Sequence, residues 1–273
     1  VRFDPVALAA FDVHVLRRPT ASDDYDEATL LAAERFYAGL DEAATERLSR
    51  TLTMGLPGAD GGHDLSDFAR RLAEYRDIDA EALRANLVAF LSDAAPEAER
   101  LGVRLCLHPD DPPRPVFGIP RVVSTLTDYR HILNAVDTSA NGVTFCAGSL
   151  GAREDADVPA MARELAPRTH FLHLRRVALE GGGAFHETDH AGAGSVLVDV
   201  IAIMLAEEAR RREAGRPDHA IPMRPDHGAL LTGDPVGQAQ PGYSWLGRLK
   251  GMGELRGMID AIEHLGLPQK SSV

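Results

Sequence analysis

After Gly102 the chain alternates short apolar runs with amphipathic stretches, and this alternation limits its possible folds more than any other feature. The apolar runs cover residues 103–107, 142–146, 169–174 and 221–223. Helical spacing covers 126–136, 158–165, 196–214 and 245–265. Short strands separated by helices pair in parallel through right-handed crossovers, so the expected class is α/β. The first run ends abruptly at His108, and the next seven residues, 109–115, are only proline, aspartate and arginine. Their four prolines fix φ and remove backbone donors, so neither a helix nor a central strand continues through them. A polar residue at the end of a buried strand, opening onto a stiff charged loop, is where α/β enzymes place chemistry.

The part before Gly102 reads differently. Residues 9–16 suggest a short extended segment or lead-in loop. Helical patterns then cover 26–37, 41–52, 65–75 and 79–101, with breaks at 55–58 (Gly-Leu-Pro-Gly) and at Gly61 and Gly62. This block, 1–101, carries no evident chemistry and reads as packing, a lid or an oligomer contact. The whole chain, 1–273, is expected to form a single domain, with residues 102–273 carrying the β/α units. Glycines 181–183 read as a flexible loop, since no P-loop Lys-Ser/Thr follows them.

Composition narrows the function. A formal charge of -12 argues against general nucleic-acid binding and against attraction to anionic membranes. No apolar run approaches the roughly 18 to 20 residues of a membrane-spanning helix. The start, Val-Arg-Phe-Asp, is not a signal peptide. Two cysteines, Cys106 and Cys146, are too few for a disulfide scaffold and suit a reducing compartment or a metal thiolate. A cytoplasmic protein is expected.

Each of the four strands ends on or near a residue able to bind a metal or move a proton. These are His108, Cys146, His173 and Asp226 followed by His227. In a parallel barrel the carboxyl ends of all strands converge on one face, so residues distant in sequence meet around one point. Two imidazoles, a thiolate and a carboxylate suit a divalent transition ion and are a poor set for magnesium or calcium. Arg114, Arg121, Arg175, Arg176 and Arg224 recur beside the same points and could clamp a carboxylate. His227 is a candidate general acid or base. Tyr243, in the loop after the last strand, could donate or accept a proton. Residues 186–190 spell His-Glu-Thr-Asp-His, a metalloprotease pattern that works only on a helix. Glycines on both sides make a helix improbable here, so His186 and His190 are read as part of a substrate loop.

Five segments together resemble the mannonate dehydratases of the bacterial hexuronate pathway. They are 108–115 (His-Pro-Asp-Asp-Pro-Pro-Arg-Pro), 120–125 (Pro-Arg-Val-Val-Ser-Thr), 171–175 (Phe-Leu-His-Leu-Arg), 224–228 (Arg-Pro-Asp-His-Gly) and 241–244 (Pro-Gly-Tyr-Ser). The likeness runs from Arg2 to about Ile262. It implies a TIM (β/α)8-type barrel related to the xylose-isomerase-like group, a manganese or ferrous ion, and dehydration of D-mannonate to 2-keto-3-deoxy-D-gluconate. The implied metal ligands are His108, Cys146, His173 and Asp226, and the implied acid/base pair is His227 and Tyr243. Substrate contacts fall on Arg175 and the 186–190 segment, with Arg114 at the pocket mouth beside Asp110 and Asp111.

The family usually carries a further segment before the point matching Arg2, and only four strands are evident where a closed barrel needs about eight. The barrel is therefore expected to be incomplete, a C-terminal half plus a helical insertion, in an N-terminally truncated member or a sequence begun too late. Its metal set would be complete and its substrate pocket would not. A metal-dependent sugar isomerase on the same barrel and an inactive truncated member are the alternatives. The thiolate and the arginines favour an acid substrate. A homo-oligomer, taken as a dimer, is the expected assembly.

Overall fold

The structure is a computed structural model that describes residues 1–53, 64–234 and 241–266. The glycine-rich breaks expected at 55–58 and 61–62 lie outside the described residues. The chain opens with a two-residue strand, β1 (Arg2–Phe3), and a helix, α1 (Pro5–Ala10), that runs directly into a π-helical stretch, Phe11–Leu16. Residues 9–16 are thus helical, not extended. The signal lies just upstream: Asp4 accepts from the amides of Val6 and Ala7, and Pro5 occupies the first turn, where its missing N–H costs nothing. Four helices follow: α2 (Glu27–Ala38), α3 (Glu42–Thr53), α4 (Leu65–Ala73) and α5 (Ala80–Arg100). Asp26, Asp41, Asp64 and Asp79 each accept from a first-turn amide, so every one of these helices starts on a side-chain cap.

The remainder alternates. It runs β2 (Leu105–Leu107), α6 (Leu126–Ala135), β3 (Asn141–Cys146), α7 (Ala147–Leu150), α8 (Val158–Leu165) and β4 (Thr169–His173). An antiparallel hairpin comes next, β5 (Arg176–Gly181) and β6 (Ala184–Thr188), then α9 (Leu197–Glu213), β7 (Met223–Arg224) and α10 (Trp245–Leu265). Strands β2, β3, β4 and β7 form a parallel sheet in that order, with β2 and β7 at its edges among the described residues. The last strand sits slightly later than residues 221–223, the run that suggested it.

Strand periodicity divides the sheet into two faces. Leu105, Leu107, Val143, Phe145, Leu172 and Leu174 turn to the helices and join one apolar cluster with Leu91, Ile132, Met161, Ile201 and Ile262. Cys106, Thr144 and Cys146 alternate with them along β2 and β3. The parallel register sets Leu107 opposite Val143, Cys146 opposite His173, and His173 opposite Arg224. Strands β3, β4 and β7 therefore end at one level, whereas β2 ends opposite Val143, three residues short of Cys146.

A second sheet, in the order β1–β6–β5, is antiparallel throughout. Glycines 181–183 form the hairpin turn, all with positive φ, so the expected flexible loop is a defined reversal between two strands. His186 likewise sits on β6, paired with Arg2, and not in a loop. The first residues of the chain thus reach across to the hairpin. The helical block also meets the loop after β2: Phe11 and Phe68 pack on Phe117 with ring centroids 5.8 and 5.4 Å away.

Phe145 is fully buried between sheet and helices, whereas Phe90 on α5 is 64% exposed. Phe145→Ala is expected to lower unfolding free energy by about 3–5 kcal/mol. Phe90→Ala should change it by less than about 0.5 kcal/mol. Urea denaturation of both variants measures the contrast.

Candidate metal centre and active site

The four strand ends place His108, Cys146, His173 and Asp226 together. One ligand atom from each lies within 4.8 Å of the others, and all but His108 are buried. Donors about 2.0–2.3 Å from one ion stand at most about 4.6 Å apart, so the set is close to the dimensions of a single metal site. The chemistry agrees. The Nδ1 of His108 lies 2.6 Å from the Pro109 carbonyl, which can only accept. Nδ1 therefore carries the proton, and the Nε2 lone pair is left 3.0 Å from His173 Nδ1. A backbone acceptor on the far nitrogen is the usual way a metal-binding imidazole is oriented. The Cys146 sulfur caps α7 and accepts from the Ser149 hydroxyl at 3.2 Å.

Asp226 reaches the site differently. Strand β7 ends two residues earlier, and Asp226 has φ +66°, a left-handed conformation uncommon outside glycine, asparagine and aspartate. Its Oδ1 accepts from Arg224 at 2.9 Å, while Oδ2 lies 3.5 Å from His173 Nδ1. Strain of this kind persists where the surroundings over-determine it. His190 supplies part of that support by donating from Nε2 to the Pro225 carbonyl at 3.0 Å. His190 is buried, and a Cβ on Gly251 would sit 2.6 Å from its ring, so it braces the turn.

Arg175 is 4% exposed and lies among these groups. It donates to Asp111 at 2.5 Å, to Ser149 Oγ at 3.0 Å and to Glu187 at 2.9 Å. Its Nε, without a hydrogen-bond partner among the described residues, lies 3.9 Å from Asp226 Oδ2. Burial opposes its charge, but Cys146, Asp111, Glu187 and Asp226 together raise its pKa above the ordinary arginine value. The fork expected to hold substrate is thus already occupied by protein acceptors. Because Arg175 donates to Ser149 Oγ, the Ser149 proton is free to go to the Cys146 sulfur.

His227 follows Asp226, with its Nε2 4.0 Å from Asp226 Oδ2. Its Nδ1 forms a short hydrogen bond with Glu187 Oε1. Burial pushes the Glu187 carboxyl up, but the His227 hydrogen bond and the charges of His227 and Arg175 outweigh it and hold the pKa at about 2. The Tyr243 ring meets His227 edge-on with centroids 5.0 Å apart. Burial, then the charge of Asp226, raises the Tyr243 pKa, so its phenol stays protonated at neutral pH. A 340 Å³ cavity adjoins this group, lined among others by Arg175, Glu187, His227 and Lys250.

The other residues singled out in the sequence lie further out. His186 is on a wall of that cavity and bonds Glu180 at 2.7 Å. Arg114 sits over the Phe3 ring at 5.8 Å and against Gly183, tying β1 to the hairpin turn. Asp110 accepts from the Val123 amide and the Ser124 hydroxyl, which closes the proline-rich loop on itself. Two features at the centre were not identified from the sequence, Ser149 and the Asp111 partnership with Arg175, and Glu187 was covered only as part of the 186–190 segment with no role of its own. Glu187 sits inside the His-Glu-x-x-His pattern, and strand alternation over 184–188 was the available signal.

Comparison with known proteins gives the family. A family model described as D-mannonate dehydratase (UxuA) matches residues 14–267. Mannonate dehydratase of Rhizobium meliloti (strain 1021) is 48% identical over 97% of this chain and 66% of that protein. Mannonate dehydratase of Chromohalobacter salexigens is 47% identical over 98% of this chain and 68% of that protein. The chain thus spans about two thirds of the length of the curated relatives it matches. The crystal structure of mannonate dehydratase from Streptococcus suis serotype 2 superposes with a TM-score of 0.63 at 30% identity, covering 80% of this chain and 60% of that one.

The cluster predicts a spectroscopic signature. Cobalt(II) added to the chain should give a sulfur-to-metal charge-transfer band in the near ultraviolet. Cys146→Ser should abolish the band, and His173→Ala should weaken metal binding by at least about tenfold in calorimetry. Substituting the exposed Cys106 with serine should leave both measurements unchanged.

Proposed function

The chain belongs to the D-mannonate dehydratase family, and on that premise we propose that its β/α portion carries the active site of a metal-assisted hydro-lyase. The reaction converts D-mannonate to 2-keto-3-deoxy-D-gluconate and water, a step of hexuronate breakdown. In this reading the four parallel strands are part of a (β/α)8-type barrel, and the ion is manganese or ferrous iron. The observation that carries the reading is the meeting of His108, Cys146, His173 and Asp226 with His227 and Tyr243 beside them. When bound, a divalent ion supplies Lewis acidity that stabilises negative charge developing on the substrate carboxylate.

The protein's own groups divide the proton transfers. The C2 proton is weakly acidic and needs a base with an open lone pair. His227 offers Nε2 for this, because Nδ1 is engaged by Glu187. Breaking the C3–oxygen bond needs a proton on the departing hydroxide, and Tyr243 keeps its phenolic proton for that task. The electron pair of the C2–H bond becomes the C2–C3 double bond of an enol as water leaves. The enol then ketonises: C3 takes a proton from His227, and the enol hydroxyl proton restores Tyr243. Arg175 binds no reacting atom in this scheme; it holds Asp111, Ser149 and Glu187 in place.

Formation of 2-keto acid from D-mannonate, before and after chelation and manganese add-back, is the deciding assay. Turnover should vanish with the chelator and return with manganese. His227→Asn and Tyr243→Phe should each lower kcat by about 10²- to 10⁴-fold. Turnover of aldoses but not of D-mannonate would point to an isomerase, and metal binding with no turnover to an inactive member.

A further inference from the structure

Glu187 is a half-buried carboxylate at this site that is neither a metal ligand nor a proposed proton carrier. Its backbone is held on both sides, because β6 is the central strand of its sheet: Glu187 pairs with Val177 of β5, and its amide donates to the Val1 carbonyl at 2.8 Å. Its Oε1 meets two groups at once, Arg175 Nη1 at 2.9 Å and His227 Nδ1 in a short contact. The His227 ring is also wedged. Tyr243 lies against it edge-on, and a Cβ on Gly242 would come within 3.0 Å of its Cγ.

These contacts determine where the imidazole proton sits. An ionised carboxylate can only accept, so the Nδ1 of His227 must donate. Arg175 Nη1 is 3.2 Å from the same nitrogen, but it too is only a donor, and that contact cannot be a hydrogen bond. Its effect is to hold the shared oxygen of Glu187 in line with the ring. With the proton on Nδ1, a neutral ring carries its lone pair on Nε2, the nitrogen 4.0 Å from metal ligand Asp226.

We infer that Glu187 is a positioning residue, which locks His227 as the Nδ1–H tautomer with Nε2 open toward the metal centre. The tautomer claim stands on these contacts alone; its catalytic consequence rests on the reading of His227 as the proton carrier.

Long-range proton–nitrogen NMR of the full chain, labelled with ¹⁵N-histidine, loaded with zinc and held near pH 8, reads the tautomer directly. His227→Gln identifies the His227 signals. The wild type should show His227 protonated at Nδ1 and bare at Nε2. Glu187→Ala should shift it to the Nε2–H form or to a mixture. Glu187→Gln should preserve the wild-type pattern, because Arg175 keeps an amide oxygen facing the ring. An Nε2–H signal in the wild type overturns the inference without any variant, and so does an unchanged tautomer in a folded Glu187→Ala. With D-mannonate, Glu187→Ala should lower kcat by about 10- to 100-fold with KM within about twofold, and Glu187→Gln should recover most of the loss. A shifted tautomer with unchanged kcat would retire His227 as the proton carrier while leaving the role of Glu187 intact.

Discussion

A buried guanidinium determines how this site is assembled. An unpaired cation as enclosed as Arg175 would cost several kcal/mol, so its position requires anions around it. The acceptors come from separate parts of the chain: Asp111 from the loop after β2, Ser149 from α7, Glu187 from β6, with Asp226 after β7 close by. A guanidinium presents its donors in a rigid planar fork, so holding Arg175 also fixes the angles between those elements. Lysine could supply the charge but not the geometry. The backbone makes room for the fork at Gly148, where a Cβ would collide with the Arg175 side chain. The candidate ligand Asp226, the Cys146 cap at Ser149 and the Glu187 partner of His227 therefore share one scaffold, although they come from different segments.

The ligands are positioned by two distinct means. Cys146 and His173 face each other in the parallel pairing of β3 and β4, beyond a register shift after Val143, so strand pairing places them. Asp226 follows a strand of only two residues and cannot rely on register. Its left-handed backbone is braced locally instead, by Arg224 on its carboxylate and by His190 on the Pro225 carbonyl. Beyond it, Gly228 and Gly247 meet so closely that a Cβ on either would overlap backbone of the other's segment. Asp234 accepts from the Leu231 and Leu246 amides and from the Ser244 hydroxyl, tying the described part of the following loop to the start of α10. The irregular end of the site is thus held by side chain-to-backbone bonds where the regular end is held by the sheet.

This difference explains which parts were legible in the sequence. The ligand set could be read because each member follows an apolar run, and strand ends on one face of a parallel sheet must meet. Helices α8 and α10 begin and end where their periodicity and caps place them. The hairpin was missed because its strands mix charged and apolar residues, and its three glycines look the same whether they form a turn or a loose loop. The helical start at Pro5 carried a readable cap, but the apolar run 9–16 resembles a strand when taken alone. Ser149 and Glu187 had no signature of their own. Their importance comes from what Arg175 and His227 do with them, and partnerships across 26 or 40 positions of sequence leave no local pattern.

Charge balance connects these features. Around the ligand cluster, Asp226, Asp111 and Glu187 are anionic, while Arg175, Arg224 and the Val1 ammonium are cations bonded to them. Those anions keep Arg175 charged despite its burial, and the charge of Asp226 among them helps to keep the proton on Tyr243. A sugar-acid substrate would bring a further negative charge into the same space, where the fork of Arg175 is already taken by protein acceptors and the Arg248 guanidinium lies over the Tyr243 ring at 5.7 Å. On the proposed reading, a divalent cation held by His108, Cys146, His173 and Asp226 would share in attracting an acid substrate. Proton transfer, in the same reading, would depend on His227 and Tyr243 being held in opposite protonation roles beside that site.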